Sequence, residues 1–205
     1  TDSFTYQVRD NGLSANGGND TGNTVTVTIN VGPVNDAPVN AVPGTQSMLE
    51  ERTLVFSAAN SNLISTSDID AGVVASVRVT LTSANGTATL GSLAGLTFIA
   101  GDGASDTSMT FSGTLAAINA ALAGTSFTPS VNFTGTASLS VTTNDLGNSG
   151  TGGAQSDTDL ILINVANIND PPVALPDAYS VNEDNTLTVL VTSGVLVNDN
   201  DSADA

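Results

Sequence analysis

One stretch of the chain occurs twice. Thr24-Val25-Thr26-Val27-Thr28-Ile29-Asn30-Val31 is matched 134 residues later by Thr158-Asp159-Leu160-Ile161-Leu162-Ile163-Asn164-Val165, and the match runs on from Val34-Asn35-Asp36-Ala37-Pro38 to Ile168-Asn169-Asp170-Pro171-Pro172. Glu50-Glu51-Arg52-Thr53-Leu54 then corresponds to Glu183-Asp184-Asn185-Thr186-Leu187, at a spacing of 133. Internal repeats decide architecture before local structure does. Two equivalent linkers divide the 205 residues into 1–38, 39–172 and 173–205. The first piece carries two alternating strand patterns, Phe4, Tyr6, Val8 and Val25, Val27, Ile29, Val31. The last carries a strand pair, Tyr179–Val181 and Leu187–Val191, in which Tyr179, like Tyr6, reads as core. Two or three strands cannot bury a sufficient core. Only 39–172 is expected to form a complete domain, between the closing half of one repeat and the opening half of another. The pattern starts midway through a repeat, as expected of a piece of a longer array.

Within the central piece the period is two. Val77, Val79 and Leu81 alternate with Ser76, Arg78, Thr80 and Thr82, and similar runs recur at Ala88 to Leu90, Met109 to Phe111 and Ala137 to Val141. Turn residues interrupt them at Asn85-Gly86, Gly101-Asp102-Gly103 and Gly147 to Gly153. This punctuation predicts an all-β, antiparallel sandwich. One segment departs from it: over Thr114 to Gly124, Leu115, Ile118 and Leu122 fall on one helical face, with Thr114 placed to cap the start and Gly124 to end it. A short crossover helix lying on the sandwich is expected there.

Composition removes most catalytic chemistry. The chain has 20 acidic residues against three arginines, a net charge of −17, and no Lys, His, Cys or Trp. It therefore has no imidazole base, thiol nucleophile, zinc–thiolate cluster, disulfide, Schiff base or lysine isopeptide staple. Phosphate binding is dominated by Lys and Arg, so nucleic acid is excluded as a partner. A cation is the natural electrostatic partner. No apolar run approaches the length of a membrane helix, about 18 residues or more, and 40% apolar residues in clean alternation argue against disorder.

The acids are unevenly placed. Asp68 and Asp70 stand two apart at the end of an extended run, so both carboxylates can converge on one side. Converging carboxylates repel unless a cation lies between them. Asp199 and Asp201 repeat the arrangement in the last piece, Glu50 and Glu51 recur as Glu183 and Asp184, and Asn35-Asp36 and Asn169-Asp170 lie in the linkers. Oxygen ligands alone suit calcium, which takes about 6–8 of them in irregular geometry. Asp102 with Asp106 flanks a Gly-rich hairpin and Asp157 with Asp159 opens a strand; both pairs read as solvated. Each arginine reads as an isolated surface or ion-pair residue.

The linker motifs Val34-Asn35-Asp36-Ala37-Pro38 and Ile168-Asn169-Asp170-Pro171-Pro172, the early acids Glu50-Glu51, and Ser67-Asp68-Ile69-Asp70-Ala71-Gly72 resemble those of bacterial cadherin-like repeats in giant surface adhesins. The likeness spans essentially the whole chain. It implies a Greek-key, cadherin- or immunoglobulin-like sandwich flanked by partial repeats, with Ca2+ between successive domains. Carried over by motif, Asn35 and Asp36 would face Asp68 and Asp70 at the first junction, with Asp145 of Thr143-Asn144-Asp145-Leu146-Gly147 from the late loop. The second junction would use Glu50, Glu51, Asn169, Asp170, Asp199 and Asp201. The linkers are shorter than the full cadherin pattern and no Asp-Arg-Glu motif is present, which implies fewer ions. Asp10 aligns with the late loop of a preceding repeat and ranks lower.

The function so implied is a non-enzymatic, calcium-binding structural or adhesive module of a secreted bacterial surface protein. Its partners would be neighbouring repeats, with cell-surface or glycan ligands and head-to-tail self-association between complementary ends as further expectations. The alternative is a calcium-dependent carbohydrate-binding module, which the absence of Trp and the core reading of Tyr6 and Tyr179 disfavour. A glycosidase needs two carboxylates about 5–10 Å apart, whereas adjacent Glu50 and Glu51 would point to opposite faces of a strand.

Overall fold

The computed structural model describes residues 1–11, 17–72 and 75–200. Its centre is a β-sandwich. One layer is a six-stranded sheet in the order β4 (Gln46–Leu49), β13 (Ser156–Ala166), β12 (Gly135–Asn144), β7 (Ser76–Ala84), β10 (Ser108–Thr114), β9 (Thr97–Ala100). The other layer has three strands, β5 (Leu54–Val55), β11 (Ser126–Pro129) and β8 (Gly86–Thr89). A two-stranded sheet of β3 (Val39–Ala41) and β6 (Ser65–Ser67) stands beside them.

The alternation read in the sequence is what fills the space between layers. Val77, Val79 and Leu81 of β7, Leu139 and Val141 of β12, and Ile161 and Ile163 of β13 are buried in one cluster with Ala88 of β8 and Phe127 of β11. Burying each such large side chain contributes about 1.5–3 kcal/mol. In register β12 sets Leu139 beside Ile161 and Val141 beside Asp159, and β7 sets Leu81 beside both Val141 and Met109. The sheet is not wholly antiparallel, however. β4 pairs with β13 in parallel, Gln46 beside Ile163 through Leu49 beside Ala166.

The expected helix is α1 (Leu115–Leu122). Thr114 Oγ1 accepts the Ala117 N–H at 3.3 Å and caps its start. Gly124 follows its end at φ +93°, a left-handed conformation that a Cβ would strain. Ile118, Ala121 and Leu122 are buried, so α1 crosses from β10 of the larger sheet to β11 of the smaller with its apolar face inward.

Outside the sandwich, β1 (Asp2–Tyr6) and β2 (Val25–Ile29) form an antiparallel pair with Phe4 beside Val27 and Tyr6 beside Val25. Phe4 is 53% and Tyr6 48% exposed, which corrects the expectation that Tyr6 is core: no third strand joins this pair among the described residues. Tyr179 is likewise exposed, its hydroxyl donating to Ser193 O at 2.8 Å. The strand pair expected over 179–191 does not form. That segment holds a turn at Glu183–Asn185 and a 3-10 turn at Val191–Ser193, and Val181, Leu187 and Leu190 stay exposed. With so little apolar burial, the ordering of a strand has little to offset it.

Candidate metal centres at the two ends of the sandwich

β13 runs the length of the larger sheet, and the linkers meet the sandwich at its opposite ends. At its start the first linker is held by backbone. Val34 bridges Thr151 in parallel, Asn35 N donates to Thr151 O at 2.9 Å, and Thr151 N donates to Pro33 O at 3.1 Å. Gly150 makes this approach possible. At φ +81° it lies where a Cβ would sit 2.6 Å from the Val34 carbonyl carbon and 2.7 Å from Asn35 N.

Docked in this way, Asn35 is only 3% exposed. Its amide nitrogen donates to Asp145 Oδ2 at 2.6 Å and to Gly153 O at 2.9 Å, and Gln155 Nε2 donates to its carbonyl. Asp145, also buried, accepts the N–H groups of Gly147 and Gln155 on Oδ1, each at 2.8 Å. Burial alone would raise the Asp145 carboxyl; the donors from Gln155, Gly147 and Asn35 outweigh it and hold the group below its ordinary value.

One residue on, Asp36 N donates to Asp70 Oδ2 at 2.6 Å. Asp68 Oδ1 accepts the N–H of Asp70 (2.8 Å) and of Ala71 (3.1 Å). The five candidates of this end are thus linked as Asn35 with Asp145 and Asp36 with Asp70, with Asp68 folded over its own loop. Two buried oxygens among them, Asn35 Oδ1 and Asp68 Oδ2, have no hydrogen-bond partner among the described residues.

At the other end, Glu50 follows β4. Its N–H donates to Ala166 O at 2.9 Å, and its Oε1 accepts from Ile168 N at 2.9 Å. Glu50 is 0% exposed and its Oε2 has no partner among the described residues. Glu51 adopts φ +58° and is exposed, so only one of the two glutamates faces inward. Asn169 is exposed and donates to Asp170 O at 3.1 Å. Asp199 Oδ1 accepts from Leu175 N at 2.8 Å; Asp201 lies outside the described residues. Among the described residues no three acidic side chains gather closely enough to hold a metal ion. Most of the candidate carboxylates accept nitrogen donors instead, and among the described residues an orphaned oxygen remains at each end.

No family model matches the chain, and no curated protein matches it. Among solved structures, it is similar to a type I cohesin–dockerin complex from Clostridium thermocellum ATTC 27405, at 6% identity and a TM-score of 0.36, over 68% of this chain and 100% of that one. So slight a likeness bears on nothing beyond itself, and the β-sandwich rests on the chain's own strand pairing. No helix among the described residues is long and apolar enough to cross a membrane.

Sequence reasoning missed part of the framework around the first end. Asn40 is buried on β3; its N–H donates to Asp157 Oδ2 at 2.7 Å, its Nδ2 to Asp157 O at 3.0 Å, and its Oδ1 accepts from Thr143 Oγ1 at 2.6 Å. Asp157, read as solvated, is therefore an anchor for β3. Its long-range partner left no local signal. Asp102 and Asp106 behave as turn residues, Asp106 Oδ2 accepting from Asp102 N and Gly103 N, and Asp102 Oδ1 from Ala104 N. Arg9 pairs with Asp20 at 3.0 Å on the surface, a contact worth about 0–1 kcal/mol.

Proposed function

We propose that the chain is a calcium-binding structural or adhesive module of a large extracellular bacterial surface protein, with Ca2+ stiffening the junctions on either side of the complete repeat at 39–172. Asn35, Asp36, Asp68, Asp70 and Asp145 would serve the first junction; Glu50, Glu51, Asn169, Asp170 and Asp199 the second. The observation that carries the reading is the set of orphaned oxygens. A buried polar atom without a partner costs about 1–3 kcal/mol, and among the described residues Asn35 Oδ1, Asp68 Oδ2 and Glu50 Oε2 account for three of the four such side-chain atoms. All three belong to the residues singled out by repeat position, and each is an oxygen of the kind calcium takes. A net charge of −17 supplies the driving force. In this reading low calcium leaves the acids of each junction repelling, and bound ions join linker to sandwich.

Calorimetric titration of the chelator-treated chain with calcium chloride tests the proposal. Binding heat, a higher melting temperature and a longer particle in small-angle scattering are expected. Titration without heat, together with identical melting in calcium and EDTA, would overturn it.

A further inference from the structure

From Leu115 to Leu122, α1 carries one polar side chain, that of Asn119. Asparagine is a poor helix former, and here its amide is turned to a strand. Its Oδ1 accepts the Thr66 N–H at 2.9 Å and its Nδ2 donates to Thr66 O at 2.8 Å. Thr66 is buried and is the middle residue of β6, opposite Asn40 of β3. In an antiparallel pair alternate residues turn both backbone groups away from the partner strand. Those of Thr66 both go to one side chain, which takes the place of a third strand.

The β3–β6 ribbon needs such support. It hydrogen-bonds to no further strand among the described residues, and a two-stranded ribbon is marginal alone. β3 is held from the other side by Asn40, through Asp157 and Thr143. β6 lies between Ile64 and Ala71, both buried in the core, so 65–70 is the part free to move away from it. Val39 pairs with Ser67. The same register carried three residues further sets Asp36 opposite Asp70, where Asp36 N donates to Asp70 Oδ2. The candidate acids Asp36, Asp68 and Asp70 are thus the open end of a ribbon whose middle Asn119 grips.

We propose that Asn119 is a positioning residue for the first junction, a clasp that holds 65–70 closed so that Asp68 and Asp70 face the linker at Asp36. With the clasp lost, 65–70 opens as a local unit and parts from Asp36 while the sandwich stays folded. Asn35 does not move with it, because its N–H is held by Thr151 O, and neither does Asn40, whose N–H is held by Asp157. As a role in cation binding this rests on the calcium reading above. Ions that bind only the closed form stabilise it by mass action, so clasp and ion act on one equilibrium.

Residue-resolved amide hydrogen exchange, followed by NMR in EDTA, tests the clasp. Asn119→Ala removes both bonds to Thr66 while favouring the helix. Exchange at Thr66, Ser67 and Asp36 is expected to rise about tenfold or more, while Asn35, Asn40 and strands β7, β12 and β13 keep the parent's rates. Unchanged exchange at Asp36, or an equal rise at Asn35, Asn40 and Asp36, would overturn the proposal. If Asn119→Ala proves unfolded, Asn119→Asp takes its place: it keeps the acceptor for the Thr66 N–H and loses the donor to Thr66 O, and the same pattern is expected. Calcium chloride then separates the two readings. It should slow exchange at Asp36 in the parent, and Asn119→Ala should need more calcium to reach the same rate, by the factor that separates the two chains in EDTA. Equal rates in the two chains at the same calcium concentration would refute the coupling. Calcium without effect on the parent would count against the calcium reading alone, with the EDTA comparison still deciding the clasp.

Discussion

Asn35 and Asp145, separated by 110 positions in the chain, are joined by a 2.6 Å hydrogen bond from the amide nitrogen to Oδ2, and both are buried. The bond ties the first linker to the loop between β12 and β13. Asn35→Ala removes the donor and leaves a carboxylate oxygen short of a partner. It should lower stability by about 1–3 kcal/mol, read from urea denaturation. A variant as stable as the parent would mean that the linker is not held through this pair.

The pH dependence follows from the same pair. The Asp145 carboxyl titrates below its ordinary value of 3.8 in the folded chain. Its contribution is therefore complete above that value and is lost as pH falls below it, through the lower folded-state value. Asp145→Asn should flatten the stability curve in this acid range. An unchanged acid slope in thermal melts between about pH 2 and 5 would contradict the assignment.

Gly150→Ala meets two obstacles at once, a left-handed backbone and a Cβ pressed on Val34 and Asn35. The expected result is a loss of about 1 kcal/mol or more, with faster amide exchange at Asn35. Unaltered exchange there would show that the linker does not depend on the close approach.

Glu50→Gln separates charge from shape. The amide keeps an oxygen for the Ile168 N–H and removes a carboxylate whose second oxygen is orphaned. In EDTA the variant should melt at or above the parent, because an unpaired neutral group costs less to bury than a charged one. In calcium it should lose part of the ion-induced rise. Equal destabilisation in both buffers would rule out an ion at that end.

Leu139 and Phe4 occupy matching places, Leu139 opposite Ile161 and Phe4 opposite Val27 in pairs that the repeat makes equivalent. Leu139 is wholly buried and Phe4 is half exposed. Leu139→Ala should cost about 2–5 kcal/mol, Phe4→Ala under about 1 kcal/mol, both by chemical denaturation under dilute conditions. Similar losses would show that β1–β2 has a covering layer.

Much of the fold is legible because alternation is a local signal. Val77, Val79, Leu81, Leu139 and Val141 each report an inward face, and Thr114 with Ile118, Leu122 and Gly124 marks α1. The parallel contact of β4 is not legible: four residues alternate in the same way whichever direction the neighbouring strand runs. Tyr179–Val181 has the pattern of a strand without the partner that makes one, since strand preference depends on its surroundings. At the candidate sites, the linker motif pointed to Asn35 and Asp36, and the structure sets them against Asp145 and Asp70. The parts played by Gly150, Asn40 and Asp157, the last read as solvated, are not legible because their contacts lie more than 100 residues away. The orphaned oxygens depend on burial, which no spacing reveals.

The parallel ladder of β4 and β13 has a mechanical meaning. The chain enters beside the start of β13, turns into β4 with the same polarity, and leaves from the end of β13. A pull on the two linkers draws Gln46 and Ala166 in opposite directions along the strands. The bonds between β4 and β13 are then loaded together in shear rather than peeled one after another, so tension along the chain meets the sandwich at a resistant seam.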